Sequence, residues 1–408
     1  MKKKKFWAWV WVALCILAIL LIVPLARTIQ AFVSARWGRS LFGYAVLAAV
    51  GIAFISIVTI LVCRLKIRSP SRLVWLAAVA GLYVYFTMKL WKAPEEAIHF
   101  LEYGLLGFLL FNALSYSTRD KSVYLAAFFI GSTVGIFDEI LQWVVPGRFW
   151  DFRDVGLNAL AAGLFQVALW KGIKPSLISE KFNPRSARRI SVVLAVNLVL
   201  LCLCASNTPQ RVAWYASRFP SLSFLLREEP MYEFSLKHKD PEIGIFYSRL
   251  SPEELKREDR ENSDGNAEVL RTWKDKDYSL FLSHHSPFLH TFLYEMRVRI
   301  FRRDRKAEEA ARAKKERAAN ESLFISFKEN LILEKYFGQT LEKSTYSWDE
   351  DKKRKTEAHI DKNRPYKSPV SRGLIHVKEK TIWVFTLIAL ILLAVINGLY
   401  SYKMRRKI

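Results

Sequence analysis

Eight apolar stretches, each close to the about 20 residues needed to cross a bilayer's hydrocarbon core, punctuate this 408-residue chain. They fall at residues 6–26, 42–63, 73–91, 96–116, 122–145, 154–170, 190–205 and 381–402. A backbone in lipid has to satisfy its own hydrogen bonds, so such runs are expected to be helices. The fold expected is an all-α polytopic membrane helix bundle of about eight transmembrane helices, with one insertion. Residues 207–379 hold no such run. They are dense in charge and broken by Pro and Gly, and read as an exported α+β soluble domain.

The boundaries follow. Residues 1–72 hold the N-terminal transmembrane helices, 73–172 a helical membrane domain, and 173–206 a cytoplasmic basic loop with the seventh helix. The exported domain occupies 207–379, and 380–408 form the last helix and a basic tail.

The chain carries 62 Lys and Arg against 38 Asp and Glu, a net charge of +24. The excess is not spread evenly: residues 207–379 hold 34 basic and 29 acidic side chains, so most of it flanks the spans. That pattern fits membrane topology and argues against a nucleic-acid partner. With the N-terminus inside, the cytoplasmic segments carry 20 Lys and Arg, against 7 in the short outer loops. Both termini are therefore expected in the cytoplasm of a bacterium whose inner membrane holds the chain. The first apolar run exceeds the usual 7–15 residues of a signal peptide's core, so it reads as a retained anchor. Cys15, Cys63, Cys202 and Cys204 all lie in or beside spans. The exported domain then has no disulfide and needs a core of its own.

Within that domain, alternation predicts strands at 231–237, 243–250, 294–301, 322–327 and 374–377. Helices are predicted after Ser251-Pro252-Glu253-Glu254 and over 304–319. The charge runs at 258–266 and 349–355 read as solvated loops or frayed ends. His284, His285 and His290 read as loop residues rather than a metal cluster.

The chemistry gathers elsewhere. The fourth span opens with Pro94-Glu95-Glu96-Ala97-Ile98-His99-Phe100-Leu101-Glu102-Tyr103, in which Glu95, His99, Glu102 and Tyr103 share one helical stripe. The fifth contains Gly131 and Gly135, a spacing that allows close helix contact. It ends with Asp138, Glu139 and Gln142, the two acids roughly 10 Å inside the outer helix end at 1.5 Å per residue. After Pro146-Gly147-Arg148, the sixth begins with Asp151, Asp154 and Asn158. Three consecutive helix ends thus carry polar groups on one membrane face. Acids at helix N-termini are stabilised without any function, and that plain reading covers Glu95, Glu96, Asp151 and Asp154. It covers Asp138 and Glu139 less well, because carboxylates below the interface are costly and mark sites. Arg148 is placed to pair with Glu139 across the turn.

These strings resemble the VanZ-like family of membrane proteins, over roughly residues 73–170. That family pairs an acid-x-x-x-His-Phe-x-x-Tyr helix start with a Glu-x-x-Gln, Pro-x-Arg, Asp-x-x-x-Asn run, matched here by Glu95 to Tyr103 and Gly135 to Asn158. Glu96 departs from it, standing where many members have a basic residue. The resemblance implies a role at the cell envelope, linked in the founding type to reduced susceptibility to teicoplanin, and it implies no agreed reaction.

Three functions are left open. The first is a pocket formed by Glu95, His99, Glu102, Tyr103, Asp138, Glu139, Gln142, Arg148, Asp154 and Asn158, facing outward and binding a lipid head group or lipid-linked envelope precursor. The second is a membrane-surface enzyme with His99 and Asp138 or Glu139 as acid and base, or around a metal. The third is a scaffold presenting residues 207–379 to an envelope protein partner. No cofactor is expected and no metal ligand is assigned. The sequence contains no phosphate-cradling glycine loop, nucleophile elbow or H-E-x-x-H.

Overall fold

The computed structural model describes residues 2–405 except 147, 228–229, 274–276 and 362–363. The chain divides into two compact units, Met1–Ala205 with Ile382–Ile408, and Ser206–Thr381.

The first unit is a helix bundle. Its elements are α1 (Lys2–Ile22), α2 (Ala26–Trp37), α3 (Ser40–Thr59), α4 (Pro70–Lys89), α5 (Ile98–Ser115), α6 (Ser122–Val144), α7 (Phe152–Val167) and α8 (Pro184–Ala205). α5, α6 and α7 pack on one another, with α1 against α5 and α8 against α6. Tyr103, Leu106, Leu110, Ala127 and Ala161 fill the centre with no measurable exposure. The periphery is the reverse: Ile52 and Ile55 are 66% and 65% exposed. Apolar surface of that kind faces lipid, and the chain is a multi-pass membrane protein.

Seven helical segments among the described residues are long and apolar enough to span, against eight runs expected. The difference is α7, which is helical but diluted by Arg153, Asp154, Asn158 and Gln166. Its polar side chains are spent inside the bundle: Asn158 and Gln166 are buried, and Gln166 donates to the Gly107 carbonyl at 2.9 Å. Gly135 makes the tight seam between α6 and α7, since a Cβ there would stand 2.8 Å from Asn158 Cβ.

The second unit, Ser206–Thr381, is α+β with little β. It contains α9 (Pro209–Ala216), the strands β1 (Leu236–Asp240) and β2 (Gly244–Ser248), α10 (Pro252–Thr272), α11 (Tyr278–His284) and α12 (Thr291–Arg312). It continues with α13 (Glu316–Tyr336), α14 (Gly338–Lys343) and α15 (Glu350–Glu357), and α16 (Glu379–Arg405) follows, belonging to the first unit from Ile382 onward. The strands pair antiparallel, His238 opposite Phe246. Gly244 turns the hairpin at φ 107°, where any Cβ would lie 2.4 Å from the Tyr366 carbonyl oxygen. Only glycine fits that conformation and that approach.

Two expected strands are helix. Residues 294–301 lie in α12 and 322–327 in α13. The charged and apolar residues of 295–300 do alternate, but Glu295, Arg297 and Arg299 are as buried as Met296 and Ile300. A period of two therefore arises without a solvated face. Arg299 meets Glu329 at 3.1 Å, both fully buried, and Glu329 also accepts from Tyr366 at 2.6 Å and Ser368 at 2.7 Å. Buried charges persist when paired and hydrogen-bonded in this way.

The stretch 374–377 forms only an isolated bridge, Ile375 to Phe234. The charge run at 258–266 falls in α10, and that at 349–355 in α15 and its N-cap Asp349, so neither is a loop. In α10 a capping box at Ser251 and Glu254 starts the helix, and Leu255, Asp259, Ser263, Ala267 and Leu270 form its buried stripe. Asp259 accepts from the Gln339 and Thr340 amides, each at 2.9 Å, at the start of α14. Residues 304–319 are mostly helical, but interrupted between Arg312 and Glu316.

Candidate functional site

A cavity of about 320 Å³ opens in the membrane unit where α1, α2, α5 and α6 meet the loop before α7. One wall is apolar, with Ile19, Ile22, Val23, Ala26 and Phe42, while the floor carries Glu95, His99, Glu102, Asp138, Gln142, Arg148 and Asp154. Local sequence explains the floor. Pro94 opens a short 3-10 turn that holds Glu95 and Glu96 before α5 begins, and proline suits that first turn because its missing N–H would be unsatisfied there. Asp151 caps α7 by accepting from the Arg153 amide at 2.7 Å. The cap fixes the first turn of α7 and with it Asp154.

Hydrogen bonds order these side chains. Tyr103 donates to Asp138 Oδ2 at 3.0 Å, and Gln142 donates to Glu139 Oε1 at 2.7 Å. His99 Nδ1 stands 3.2 Å from Glu102 Oε2. Arg148 does not pair with Glu139 as the sequence allowed; it donates to Gln142 Oε1, and Gln142 relays to Glu139. An arginine lining the cavity is thereby tied to a carboxylate with no exposure.

Seven of the ten expected residues line the cavity. Tyr103, Glu139 and Asn158 lie behind it, fully buried. His99, Glu139 and Asp154 nevertheless converge, each offering one atom within 4.8 Å of the others.

Sequence reasoning missed the contribution of α1 and α2. Gln30 donates to Glu95 at 2.7 Å, and Arg39 also donates to Glu95. Arg27 and Gln30 line the cavity. The one signal available was that Arg27, Arg36 and Arg39 belong to the sparsely charged set of short loops, with 7 Lys and Arg against 20, where a basic residue needs a reason. Arg153 likewise pairs with Glu96 at 2.7 Å, which answers the acid found at that position.

The arrangement defines a class: a polytopic helical membrane protein with an acid-rich, partly apolar pocket at one end of its central helices. Residues 9–173 match the VanZ/LLP1 family, so this chain carries a VanZ-like membrane domain, here joined to the unit Ser206–Thr381. The match begins in α1, well before the motif strings, in keeping with the wall that α1 and α2 give the cavity. Neither the curated proteins nor the solved structures compared with the chain returned a match.

Proposed function

We propose that the cavity binds the polar head of an amphiphile, a lipid head group or a lipid-linked envelope precursor. The observation that carries this reading is the pairing of an apolar wall from α1 with a charged floor from α5 and α6 in a single cavity. An amphiphile presents the same two chemistries at its head-to-tail junction. Arg148, which lines the cavity, would meet a phosphate, since a guanidinium offers several donors to an anionic oxygen. His99 and the carboxylates would meet hydroxyl or amine groups.

The site then faces outward from a bacterial inner membrane, with both termini cytoplasmic, and Ser206–Thr381 on the outer side is available to an envelope protein partner. A change in teicoplanin susceptibility is the phenotype that the family likeness brings with it. The test is extraction of the full chain into mild detergent, followed by mass spectrometry of co-purified amphiphiles. One class is expected at near-stoichiometric amount in wild type and depleted in Arg148→Ala. Retention of bulk lipid alone, unchanged by that substitution, would overturn the proposal.

A further inference from the structure

We propose that His99, Glu139 and Asp154 form a binding site for a first-row divalent cation, Zn²⁺ or Mn²⁺. The geometry comes first. One ligand-type atom from each residue lies within 4.8 Å of the other two, so a point between them is about 2.8 Å from all three. Movements of under about 1 Å bring that to the 2.0–2.2 Å of zinc–nitrogen and zinc–oxygen bonds. The three residues come from α5, α6 and α7, which pack on one another, so the backbone holds the set together.

The surrounding contacts are those of an outer shell that orients ligands. Gln142 holds one oxygen of Glu139 at 2.7 Å, while the other has only a long 3.5 Å contact from the Asp151 amide. Glu102 stands beside His99 Nδ1 at 3.2 Å, an ion-pair distance without hydrogen-bond alignment.

Polar atoms are also left over within the cluster and beside it. Asp154 Oδ1 is buried and makes no hydrogen bond, its nearest cation being Arg153 Nε at 3.5 Å. One turn further along α7, Asn158 is fully buried with both amide atoms unpartnered. Buried polar groups are seldom left unsatisfied, and an ion with its bound water is one remedy. A protonated His99 alone is a poorer remedy. It supplies one positive charge to Glu139 and Asp154 together, with the buried Asp138 close by, and the other cation at Asp154, Arg153, is shared with Glu96 and Asp151.

Imidazole with two carboxylates and no thiolate favours Zn²⁺ or Mn²⁺ over Ca²⁺ and Mg²⁺, which prefer all-oxygen sets. Three protein ligands also leave a coordination position, and His99 and Asp154 line the cavity into which it would open. The site goes beyond the amphiphile reading and needs no lipid.

The test uses the full chain in detergent, delipidated, stripped with a chelator, equilibrated with Zn²⁺ or Mn²⁺ and desalted before elemental analysis. Wild type is expected to keep about one ion per chain, and Asp154→Asn and Glu139→Gln to bind at least about tenfold more weakly. Because Glu139 is fully buried, its variant can fail to fold; Asp154→Asn, at 14% side-chain exposure, and visible absorption of Co²⁺-loaded wild type do not depend on it. Intense Co²⁺ bands of a four- or five-coordinate nitrogen and oxygen site support the proposal. Less than about 0.1 ion per wild-type chain, or equal loading of wild type, His99→Ala and Asp154→Asn, would overturn it. That failure would leave amphiphile retention, measured separately, untouched.

Discussion

Replacing Gly135 by alanine tests the seam that holds the site together. The added Cβ would come to 2.8 Å from Asn158 Cβ and 3.5 Å from Tyr103 Cε1, whereas carbon atoms rest about 3.5–4.0 Å apart. α6 and α7 must separate by about 1 Å, or Asn158 must move with its backbone, because a Cβ has no rotamer to escape into. Overpacking of this kind costs about 1–3 kcal/mol. Alanine also favours a helix over glycine by about 1 kcal/mol, which masks part of the loss.

Gly51→Ala in α3 removes that ambiguity, because nothing lies within 4 Å of a Cβ there. The propensity gain is common to both variants, so their difference reports the overpacking alone. The assay is thermal or denaturant unfolding in detergent. Gly135→Ala is expected to be less stable than Gly51→Ala by about 1–3 kcal/mol. Equal stability would refute the close contact between α6 and α7, and with it the register that brings Glu139 to Asp154.

Two further outcomes are expected. Burial holds the His238 imidazole below its ordinary pKa, so the unfolded chain binds the extra proton; stability carried by the neutral ring is present above about pH 6.5 and is lost as pH falls through and below that value. Hydrogen exchange in β1 and β2 should show faster opening at pH 5.5 than at pH 7.5 beyond the change in intrinsic rate, and His238→Gln should flatten that dependence; the same slope in both proteins would contradict it. For topology, in a cysteine-free background a cysteine at Ser347 should react with an impermeant reagent outside intact cells, while one at Ser186 should not. The opposite labelling would place the termini outside.

The membrane bundle was legible because lipid imposes a length and an apolarity that a sequence displays directly. The polar stripes were legible too, since helical spacing puts Glu95, His99 and Glu102 on one face whatever the tertiary structure does. Arg39 and Gln30 were not, because their contact with Glu95 spans 56 and 65 residues and no local pattern encodes it. The Arg148 contact was half legible: the turn brings the guanidinium back, but Gln142 intercepts it before Glu139.

In Ser206–Thr381 the sequence misled where charge is buried. Arg297 and Arg299 each have at most 1% exposure, so polarity there did not mark a solvated face, and residues 294–301 in the first half of α12 read as a strand. The run in α10 misled in the other direction. Its stripe is built on Asp259 and Ser263 as much as on Leu255 and Leu270, and it presents few apolar residues to a periodicity search.

The claim that the cavity selects an amphiphile is tested most directly by photo-crosslinking in native membranes. A benzophenone side chain is placed at Ile22, which lines the cavity, or at Ile55, which is 65% exposed outside it, and the lipid adducts are identified by mass spectrometry. Both positions are exposed, Ile22 at 40% and Ile55 at 65%, so composition rather than yield is the readout. One amphiphile class enriched at Ile22 over Ile55, with the enrichment lost in Arg148→Ala, is the result predicted. The same bulk composition at both positions would contradict it.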